Sequence, residues 1–287
     1  MNESLFVLGA TSLLGSWVVK KAITYGYRVT AVSRQDRHRS ERPEVEWLSG
    51  DLNSPPAEMI YSSAPIIFCA PSALASPLAE RLIGASECLP RRFVLFSSMS
   101  AKTKQASTDP DERATARILV SNEQVVRSFS PELQTTILRP TLIYGGRGDR
   151  NVEYLARRSK SWGLFPVAGR GLGLRQPVHA EDLAAAALDV LHSDLTIGRT
   201  YELGGAEVIS VRELISRTAR ANGGRARTIM LPSKPLLLSL RVLRSVGLFT
   251  WLPVGSFSRM GEDLNVDITD AIADFEYAPR RFQPPTY

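Results

Sequence analysis

Cysteine is scarce in this chain, which has two cysteines, Cys69 and Cys88, among 287 residues. Two cysteines are too few for a disulfide framework of the kind that stabilises small secreted domains, so a reducing cytoplasm is the expected location. Long apolar runs are also absent, because no uninterrupted stretch reaches the ~18 residues that a spanning helix needs. The amino-terminal segment has no basic region before its short apolar stretch, and we interpret it as a first strand rather than a signal peptide.

Hydrophobic residues make up 44% of the chain and charged residues 22%, which is typical of a globular protein with a sizeable core. Disordered and collagen-like classes are thereby excluded. The formal net charge is +6 and the sequence pI is about 9.5. This balance leaves three kinds of partner open: nucleic acid, an anionic membrane surface or a phosphorylated small molecule.

Short apolar segments alternate with segments of helical periodicity through the first half of the chain. Parallel strands need helical crossovers, so the pattern predicts an α/β, Rossmann-like, doubly wound parallel sheet with helices on both faces. Strands are predicted at residues 5–8, 28–32, 45–48, 66–70, 93–96 and 135–138, and helices at 15–25, 78–89 and 114–129.

The pattern changes after Tyr144, where glycine and arginine become frequent. We predict a short helix at 152–162, an alanine-rich helix at 179–192 and a strand at 200–203 that could return to the sheet. Residues 1–144, with 177–208, are expected to form the nucleotide-binding domain. A smaller, discontinuous substrate-binding or lid domain would comprise residues 145–176 and 209–287.

The segment GATSLLG, residues 9–15, lies between the first predicted strand and helix. A tight turn there places backbone N–H groups and a helix amino terminus against a pyrophosphate. Ser12 stands where the dinucleotide fingerprint usually has its middle glycine, and so adds a side chain at a position of close approach. The alternative is an ordinary strand-to-helix turn that binds nothing.

Arg34 follows the second strand, at a position where NAD-binding sites usually have an acidic residue. Arginine there, with Arg37 behind it, favours the 2′-phosphate of NADP, although NAD remains possible and a solvated arginine is the simpler reading. Asp51, after the third strand, could accept a hydrogen bond from the adenine amine or could merely terminate a turn.

Five motifs occur in the order and spacing of one family: GATSLLG at 9–15, GDL at 50–52, FVLFSSMS at 93–100, RPTLIYG at 139–145 and RQPVHAEDLA at 175–184. Over roughly residues 4–210 the chain resembles the extended short-chain dehydrogenase/reductase superfamily, which contains nucleotide-sugar epimerases and dehydratases. The resemblance implies that a set of residues contacts the cofactor. They are Gly9, Thr11, Ser12, Leu13, Leu14, Gly15, Arg34, Asp51, Leu52, Cys69, Ala70, Pro71, Ser97 and Pro140.

The catalytic set of that family is missing. Members use a Ser or Thr after the fifth strand and a Tyr-x-x-x-Lys pair on the next helix, in which tyrosine transfers the proton and lysine lowers its pKa. Aligned on Glu123, this chain has Thr115 and Leu119 at the pair positions, and residues 105–130 contain neither tyrosine nor lysine. The resemblance therefore predicts an atypical member, either with other acid–base groups or without turnover.

Candidate replacements are few. Tyr144 and, more weakly, Ser98 are the predicted catalytic residues, while Lys102, Lys104, Asp109, Asp111 and Glu112 could equally be solvated loop residues. Met99 occupies the family's hydroxyl position and is predicted to face the substrate. Arg175 is predicted to bind a substrate phosphate or carboxylate, and His179 either contacts the substrate or fixes the start of a helix. No metal site is predicted.

Residues 234–253 form an apolar stretch with Arg241 and Arg244 on one stripe. It could cover the substrate pocket, form a homodimer contact or make weak contact with a membrane surface, and the lid is favoured. Nucleic acid is not expected as a partner, because no aromatic and basic reader motif is present.

The positive charge is concentrated in residues 20–42, 139–175 and 212–244, which hold 23 of the 35 Lys and Arg. They border the proposed cofactor site and the substrate motifs. We therefore expect an NADP(H)-dependent oxidoreductase or epimerase-like enzyme acting on a small anionic or nucleotide-linked substrate. The alternative is a non-catalytic NADP(H)-binding module with a structural, redox-sensing or protein-interaction role.

Overall fold

The computed structural model describes residues 3–34, 44–85, 88–146, 148–149, 151–161, 164–224, 227–232 and 259–286. Arg37 and the apolar stretch 234–253, for which a lid, dimer or membrane role was expected, lie outside the described residues.

Strands and helices alternate through the first half of the chain. The described strands are β1 (Ser4–Leu8), β2 (Arg28–Ser33), β3 (Glu46–Ser49), β4 (Ile66–Phe68), β5 (Phe93–Phe96), β6 (Thr135–Pro140), β7 (Ile143–Tyr144), β8 (Leu164–Ala168), β9 (Leu174–Arg175), β10 (Val178–His179), β11 (Thr200–Leu203), β12 (Ile209–Ser210) and β13 (Arg227–Leu231). The described α-helices are α1 (Leu13–Thr24), α2 (Ala57–Ile60), α3 (Ala75–Ala85), α4 (Ser100–Thr103), α5 (Pro110–Ser128), α6 (Ser130–Leu133), α7 (Val152–Ser161), α8 (Ala180–Asp189), α9 (Val211–Ala221) and α10 (Thr269–Phe275).

Seven of the strands form one sheet in the spatial order β11-β6-β5-β4-β1-β2-β3, and every pair in it is parallel. The predicted α/β, doubly wound parallel sheet is therefore confirmed. β11 pairs with β6 and returns the chain to the sheet, as its sequence suggested. The direction of winding reverses between β1 and β4, and ligands of such sheets bind outside the carboxyl ends of the strands at this reversal.

Each face of the sheet is covered by helices. On one face, α1, α8 and α10 pack through residues such as Val18, Leu183 and Phe275. On the other, α3 and α5 pack through Leu82 and Val126. Strand residues alternate between the two clusters, with Val7 in the first and Leu8 in the second, so the central strands are buried on both sides.

Two helices differ from their predicted bounds by about a full turn at one end or at both. α5 begins at Pro110 rather than at 114, because Asp109 Oδ1 accepts the Asp111 amide at 2.9 Å and proline suits a first helical turn. α3 spans Ala75–Ala85 rather than 78–89. Ser210 caps helix α9, since its hydroxyl oxygen accepts the Glu213 amide at 3.1 Å.

Small two-stranded sheets lie beyond the main sheet, formed by β10 with β7, β12 with β9 and β13 with β8. Together with α7 and α9 they contribute two further apolar clusters, one around Tyr144 and Phe282 and one around Phe165 and Ile215. The division into two domains stays a prediction. Over the described ranges of the chain, we find no helix with the length and apolar character required to cross a membrane.

Candidate functional site

The glycine turn between β1 and α1 brings backbone segments into very close approach. Gly9 has φ +80°, and a β carbon there would lie 2.6 Å from the Ala70 amide nitrogen after β4. A β carbon on Gly15 would lie 2.1 Å from the Gly9 carbonyl oxygen. Only glycine is compatible with these contacts, so the first turn of α1 lies directly against the ends of β1 and β4.

Ser12 does not block the turn. Its hydroxyl accepts the Gly15 amide at 3.0 Å and donates to the Cys69 carbonyl at 3.3 Å, so the side chain caps α1 and bonds to the chain after β4. The amides of Leu13 and Leu14 lie in the first helical turn, where no intrahelical acceptor exists. The turn therefore suits a pyrophosphate even though its middle glycine is replaced.

Arg34 lies just past the end of β2, with its side chain 80% exposed and NH1 3.9 Å from Asp51 Oδ2. Asp51 also accepts the Asn53 amide at 2.9 Å through Oδ1. The two residues predicted for the adenosine end thus lie together at the carboxyl edge of the sheet. Because the Arg34 guanidinium is so exposed, it is accessible to an anion.

The other residues predicted to contact the cofactor surround the same edge. Thr11 and Pro71 are exposed, whereas Leu52 and Ala70 pack against the second core cluster. Burial raises the pKa of the Cys69 thiol, which is therefore protonated at neutral pH. Pro140 is buried at the end of β6 and accepts the Met99 amide at 3.1 Å. These cofactor contacts remain predictions.

Ser97 forms a hydrogen bond to a buried ion pair between Glu123 and Arg139. Its hydroxyl donates to Glu123, and Arg139 Nε donates to both carboxylate oxygens of Glu123, at 3.0 and 3.1 Å. The Glu123 side chain is 3% exposed and that of Arg139 is 19% exposed. This pair links β5, α5 and β6, so Ser97 is occupied in a structural contact beneath the proposed site.

A cavity of about 540 Å³ opens at the carboxyl ends of β5 and β6. The segment after β5, the loop after β6, the helices α7 and α9, and the segment 259–264 enclose it. The described lining residues are Ser98, Met99, Ser100, Thr103, Lys104, Pro140, Thr141, Leu142, Ile143, Asn151, Tyr154, Leu155, Arg175, Val211, Leu214, Ile215, Arg259, Met260 and Leu264.

Helix α5, which carries the acid–base pair in the family, contributes none of those lining residues. Thr115 is exposed and its hydroxyl donates to the Asp111 carbonyl at 2.9 Å, while Leu119 is buried. The short helix α4, followed by Lys104, packs against α5 and lines the cavity in its place. Thr115 and Leu119, at the positions of the missing pair, are therefore not among the described residues that line the cavity.

Ser98 and Met99 lie at the cavity, where the sequence placed them. Ser98 Oγ accepts the Ser100 amide at 3.1 Å, which leaves its hydroxyl hydrogen available to a ligand. The Met99 amide is bonded to the Pro140 carbonyl, which fixes the start of α4 beside the end of β6. Their catalytic and substrate-binding roles remain predictions.

Tyr144 is fully buried and does not belong to the described lining of the cavity. Its hydroxyl accepts the Gln283 amide at 3.2 Å, and its ring packs edge-on against His179 and Phe282. Burial raises the pKa of this phenol. The geometry favours a packing role for Tyr144 over the predicted catalytic one.

His179 caps helix α8, since Nδ1 accepts the Glu181 amide at 3.1 Å. Trp17 and Tyr144 both contact its ring edge-on. Burial and the nearby positive charge of Arg280 lower its pKa below the usual value, so the ring is neutral at pH 7. Of the two roles open for His179, the geometry supports fixing the start of a helix.

Arg175 lines the cavity, but backbone carbonyls already occupy its guanidinium. NH1 donates to Leu174 and Glu262, at 2.7 and 2.8 Å, and NH2 donates to Arg259 at 2.7 Å. Burial, with the like charge of Arg259, lowers the pKa of Arg175 to about 10, which leaves it charged at neutral pH. Arg175 thus anchors the segment 259–264, and its predicted contact with a substrate anion stays a prediction.

Arg259 was not singled out from the sequence. It forms an ion pair with Glu112 at the start of α5, and both side chains are 13% exposed. Lys104 Nζ lies 3.7 Å from the same carboxylate. Burial alone would raise the pKa of Glu112, but hydrogen bonds from Arg259 and Ser107 lower it overall. No local pattern joins positions separated by 147 residues, so the sequence carried no signal for this pair.

Residues 61–193 match the 3-beta hydroxysteroid dehydrogenase/isomerase family. A mitochondrial NADH dehydrogenase [ubiquinone] 1 alpha subcomplex subunit 9 of Arabidopsis thaliana is 33% identical over 124 residues, which cover 43% of this chain and 29% of that protein. The photosystem II assembly factor Ycf39 of Guillardia theta is 25% identical over 299 residues, covering 98% of this chain and 90% of that protein.

The chain thus spans under a third of the length of the first of these relatives. Because that relative is mitochondrial, the cytoplasmic location stays a prediction.

Among solved structures, the UDP-glucuronic acid 4-epimerase of Bacillus cereus, in complex with UDP-glucuronic acid and NAD, superposes with a TM-score of 0.72. The sequences are 16% identical, and the superposition covers 97% of this chain and 95% of that one. At this identity the likeness concerns the fold. The chain therefore resembles the extended short-chain dehydrogenase/reductase superfamily, as its motifs predicted, and has an epimerase-like fold.

Proposed function

We propose that the protein binds a nicotinamide dinucleotide, NADP(H) in preference to NAD(H), without the acid–base step that is usual in its superfamily. One observation carries the absence of that step: no residue of helix α5 is among the described residues that line the cavity, and Thr115 and Leu119 stand where the family has its pair. The epimerase of known structure that contains NAD supports the choice of cofactor class.

The residues that would hold the cofactor follow from the turn. The Leu13 and Leu14 amides at the start of α1 would bind the pyrophosphate, and Gly9 allows its close approach. Arg34 would bind a 2′-phosphate because its guanidinium is exposed at the end of β2. When bound, a nicotinamide supplies hydride transfer.

An enzyme with a non-standard set of groups is the second candidate, and Ser98 favours it. Its hydroxyl lies in the cavity with the hydrogen available to a ligand. A serine alone is a weak general acid at neutral pH, however, and no described tyrosine or histidine bonds to it. A relative named as an assembly factor supports the non-catalytic proposal, in which the bound nucleotide stabilises the fold or senses redox state.

Two measurements test the proposal. Mass spectrometry of the purified protein should identify bound NADP(H), and titration should show tighter binding of NADPH than of NADH. Recovery without nucleotide, together with no measurable NADPH affinity, would overturn cofactor binding.

The absence of turnover needs a separate assay. Oxidation of NADPH should not be accelerated by the protein in the presence of a panel of aldehydes and ketones. If it is accelerated, and Ser98→Ala abolishes the activity while NADPH affinity is unchanged, the enzymatic candidate replaces the non-catalytic one.

A further inference from the structure

Apolar side chains outnumber polar ones in the lining of the cavity at the carboxyl ends of β5 and β6. We propose that it binds an aliphatic chain ending in a single anionic group, a carboxylate or a phosphate, with the anion beside Lys104. This inference rests on the proposed function, because it specifies the ligand of the site next to the cofactor turn. It departs from the expectation of a nucleotide-linked substrate.

Apolar side chains from both sides of the cavity supply most of this lining. Ten of the nineteen described lining residues are apolar: Met99, Pro140, Leu142, Ile143, Leu155, Val211, Leu214, Ile215, Met260 and Leu264. The cavity volume, about 540 Å³, lies within the range of small-molecule sites. A sugar packed against these apolar side chains would lose water from its hydroxyl groups without a hydrogen bond from them in return, whereas a hydrocarbon chain gains from the same burial.

Three of the six uncharged polar side chains in the described lining donate to backbone carbonyls, whereas the Ser98 hydroxyl hydrogen is available. The Thr103 hydroxyl donates to the Met99 carbonyl at 3.0 Å, and the Thr141 hydroxyl donates to the Gln176 carbonyl. Asn151 Nδ2 donates to the Ile143 carbonyl at 3.4 Å. These three donors are therefore withdrawn from a polyhydroxylated ligand, and a single anionic group would be recognised by the charged residues.

Those charged residues are all cationic. Lys104, Arg175 and Arg259 line the cavity, and no described lining residue is Asp or Glu. Backbone carbonyls hold the Arg175 guanidinium, and Arg259 is paired with Glu112. Lys104 Nζ is 3.7 Å from the carboxylate that Arg259 already neutralises, so this three-residue cluster keeps one positive charge in excess. A ligand with one anionic group would balance that charge.

Calorimetric titration of the full chain tests the inference with four probes, each used below its aggregation concentration: dodecanoate, dodecyl phosphate, dodecanol and UDP-glucose. We expect dodecanoate, dodecyl phosphate or both to bind at least about 10-fold more tightly than dodecanol, because a hydrogen bond to a charged group is involved. UDP-glucose should neither bind at the cavity nor displace a bound aliphatic probe. The two anionic probes distinguish a carboxylate ligand from a phosphate ligand.

Lys104→Met keeps the aliphatic stem and removes the charge, and should weaken binding of the preferred anion about 10-fold without changing that of dodecanol. Lys102→Met is the matched control, because Lys102 pairs with Glu202 at the surface, 64% exposed, and does not belong to the described lining. Glu112→Gln should strengthen anion binding, since it frees Arg259 from its partner.

The inference would be overturned if neither anionic probe bound more tightly than dodecanol, or if Lys104→Met left the affinity for the preferred anion unchanged. Displacement of the bound aliphatic probe by UDP-glucose would overturn it as well. NADPH titration of the same samples separates this result from the proposed function. Failure to bind NADPH would contradict the proposed function. Intact NADPH binding without binding of the aliphatic anions would contradict only the ligand class proposed for the cavity.

Discussion

Gly145 and His179 are in such close contact that a β carbon built on Gly145 would lie 2.1 Å from Nε2 of the imidazole. The glycine also has φ +96°, a conformation that side-chain-bearing residues rarely adopt. Its carbonyl accepts Trp17 Nε1 at 2.7 Å, which joins helix α1 to the loop after β7. The contact holds the imidazole in place at the start of helix α8.

Gly145→Ala should therefore lower the free energy of unfolding by roughly 3 kcal/mol, from the left-handed backbone strain and the overpacking together. Gly26→Ala is the matched control, because Gly26 has φ +86° but nothing within 4 Å of its β carbon position. Strain alone should cost that variant roughly 1–2 kcal/mol. Urea denaturation measures both. Equal losses would mean that the imidazole moves aside easily.

The buried imidazole of His179 predicts a loss of stability in mild acid. Its pKa is lowered in the folded protein, so below the unfolded value of about 6.5 the unfolded chain binds more protons than the folded one. The free energy of unfolding therefore decreases as the pH falls. Replacement by asparagine keeps a capping acceptor and removes the titration.

His179→Asn should therefore lose less stability than the parent between pH 7 and pH 5.5, as measured by urea denaturation at each pH. Identical pH profiles for the two proteins would contradict this assignment. The window lies above the usual range of carboxylate titration, so Glu112 and Glu181, whose pKa values are lowered, should not contribute.

The strands and the phosphate turn could be predicted because their signals are local. β5 and β11 have the predicted bounds, and the turn at 9–15 is identified by glycines within seven residues. The role of Ser12 could not be predicted in this way. Its hydroxyl bonds to a carbonyl 57 residues away, and that contact explains how a serine is accommodated in a glycine position.

Roles in the cavity were harder to predict, because they depend on contacts between distant segments. The sequence placed Tyr144 and Arg175 in motifs that line the site in the family. Their neighbours in this protein, Gln283 and the carbonyl of Arg259, come from the last thirty residues. That region resembles the family only loosely, so no motif indicated how the carboxy-terminal segment covers both side chains.

Arg34 should determine the preference between the two cofactors. Arg34→Gln removes the exposed charge at the end of β2 and should weaken NADPH binding by roughly 10- to 100-fold, the value of one charge-assisted hydrogen bond, while NADH binding changes little. Arg28→Gln, at the opposite end of the same strand, is the control. Fluorescence titration with both nucleotides measures the ratio. A parallel loss for NADPH and NADH would show that Arg34 does not contact a 2′-phosphate.

The Glu123–Arg139 pair should be among the costliest polar contacts to break. Glu123→Gln leaves the Arg139 guanidinium, 19% exposed, without its bidentate partner and should lower the free energy of unfolding by roughly 3 kcal/mol. Glu153→Gln removes the carboxylate that pairs with Arg157, whose side chain is 75% exposed. This variant should change the free energy of unfolding by less than about 0.5 kcal/mol.

Chemical denaturation at neutral pH compares the two variants. If Glu123→Gln unfolded at the same denaturant concentration as Glu153→Gln, the link between β5, α5 and β6 would contribute nothing to stability. A large loss for Glu123→Gln alone would mean that the glutamate four positions after Leu119 stabilises the fold, even though the helix no longer carries the acid–base pair.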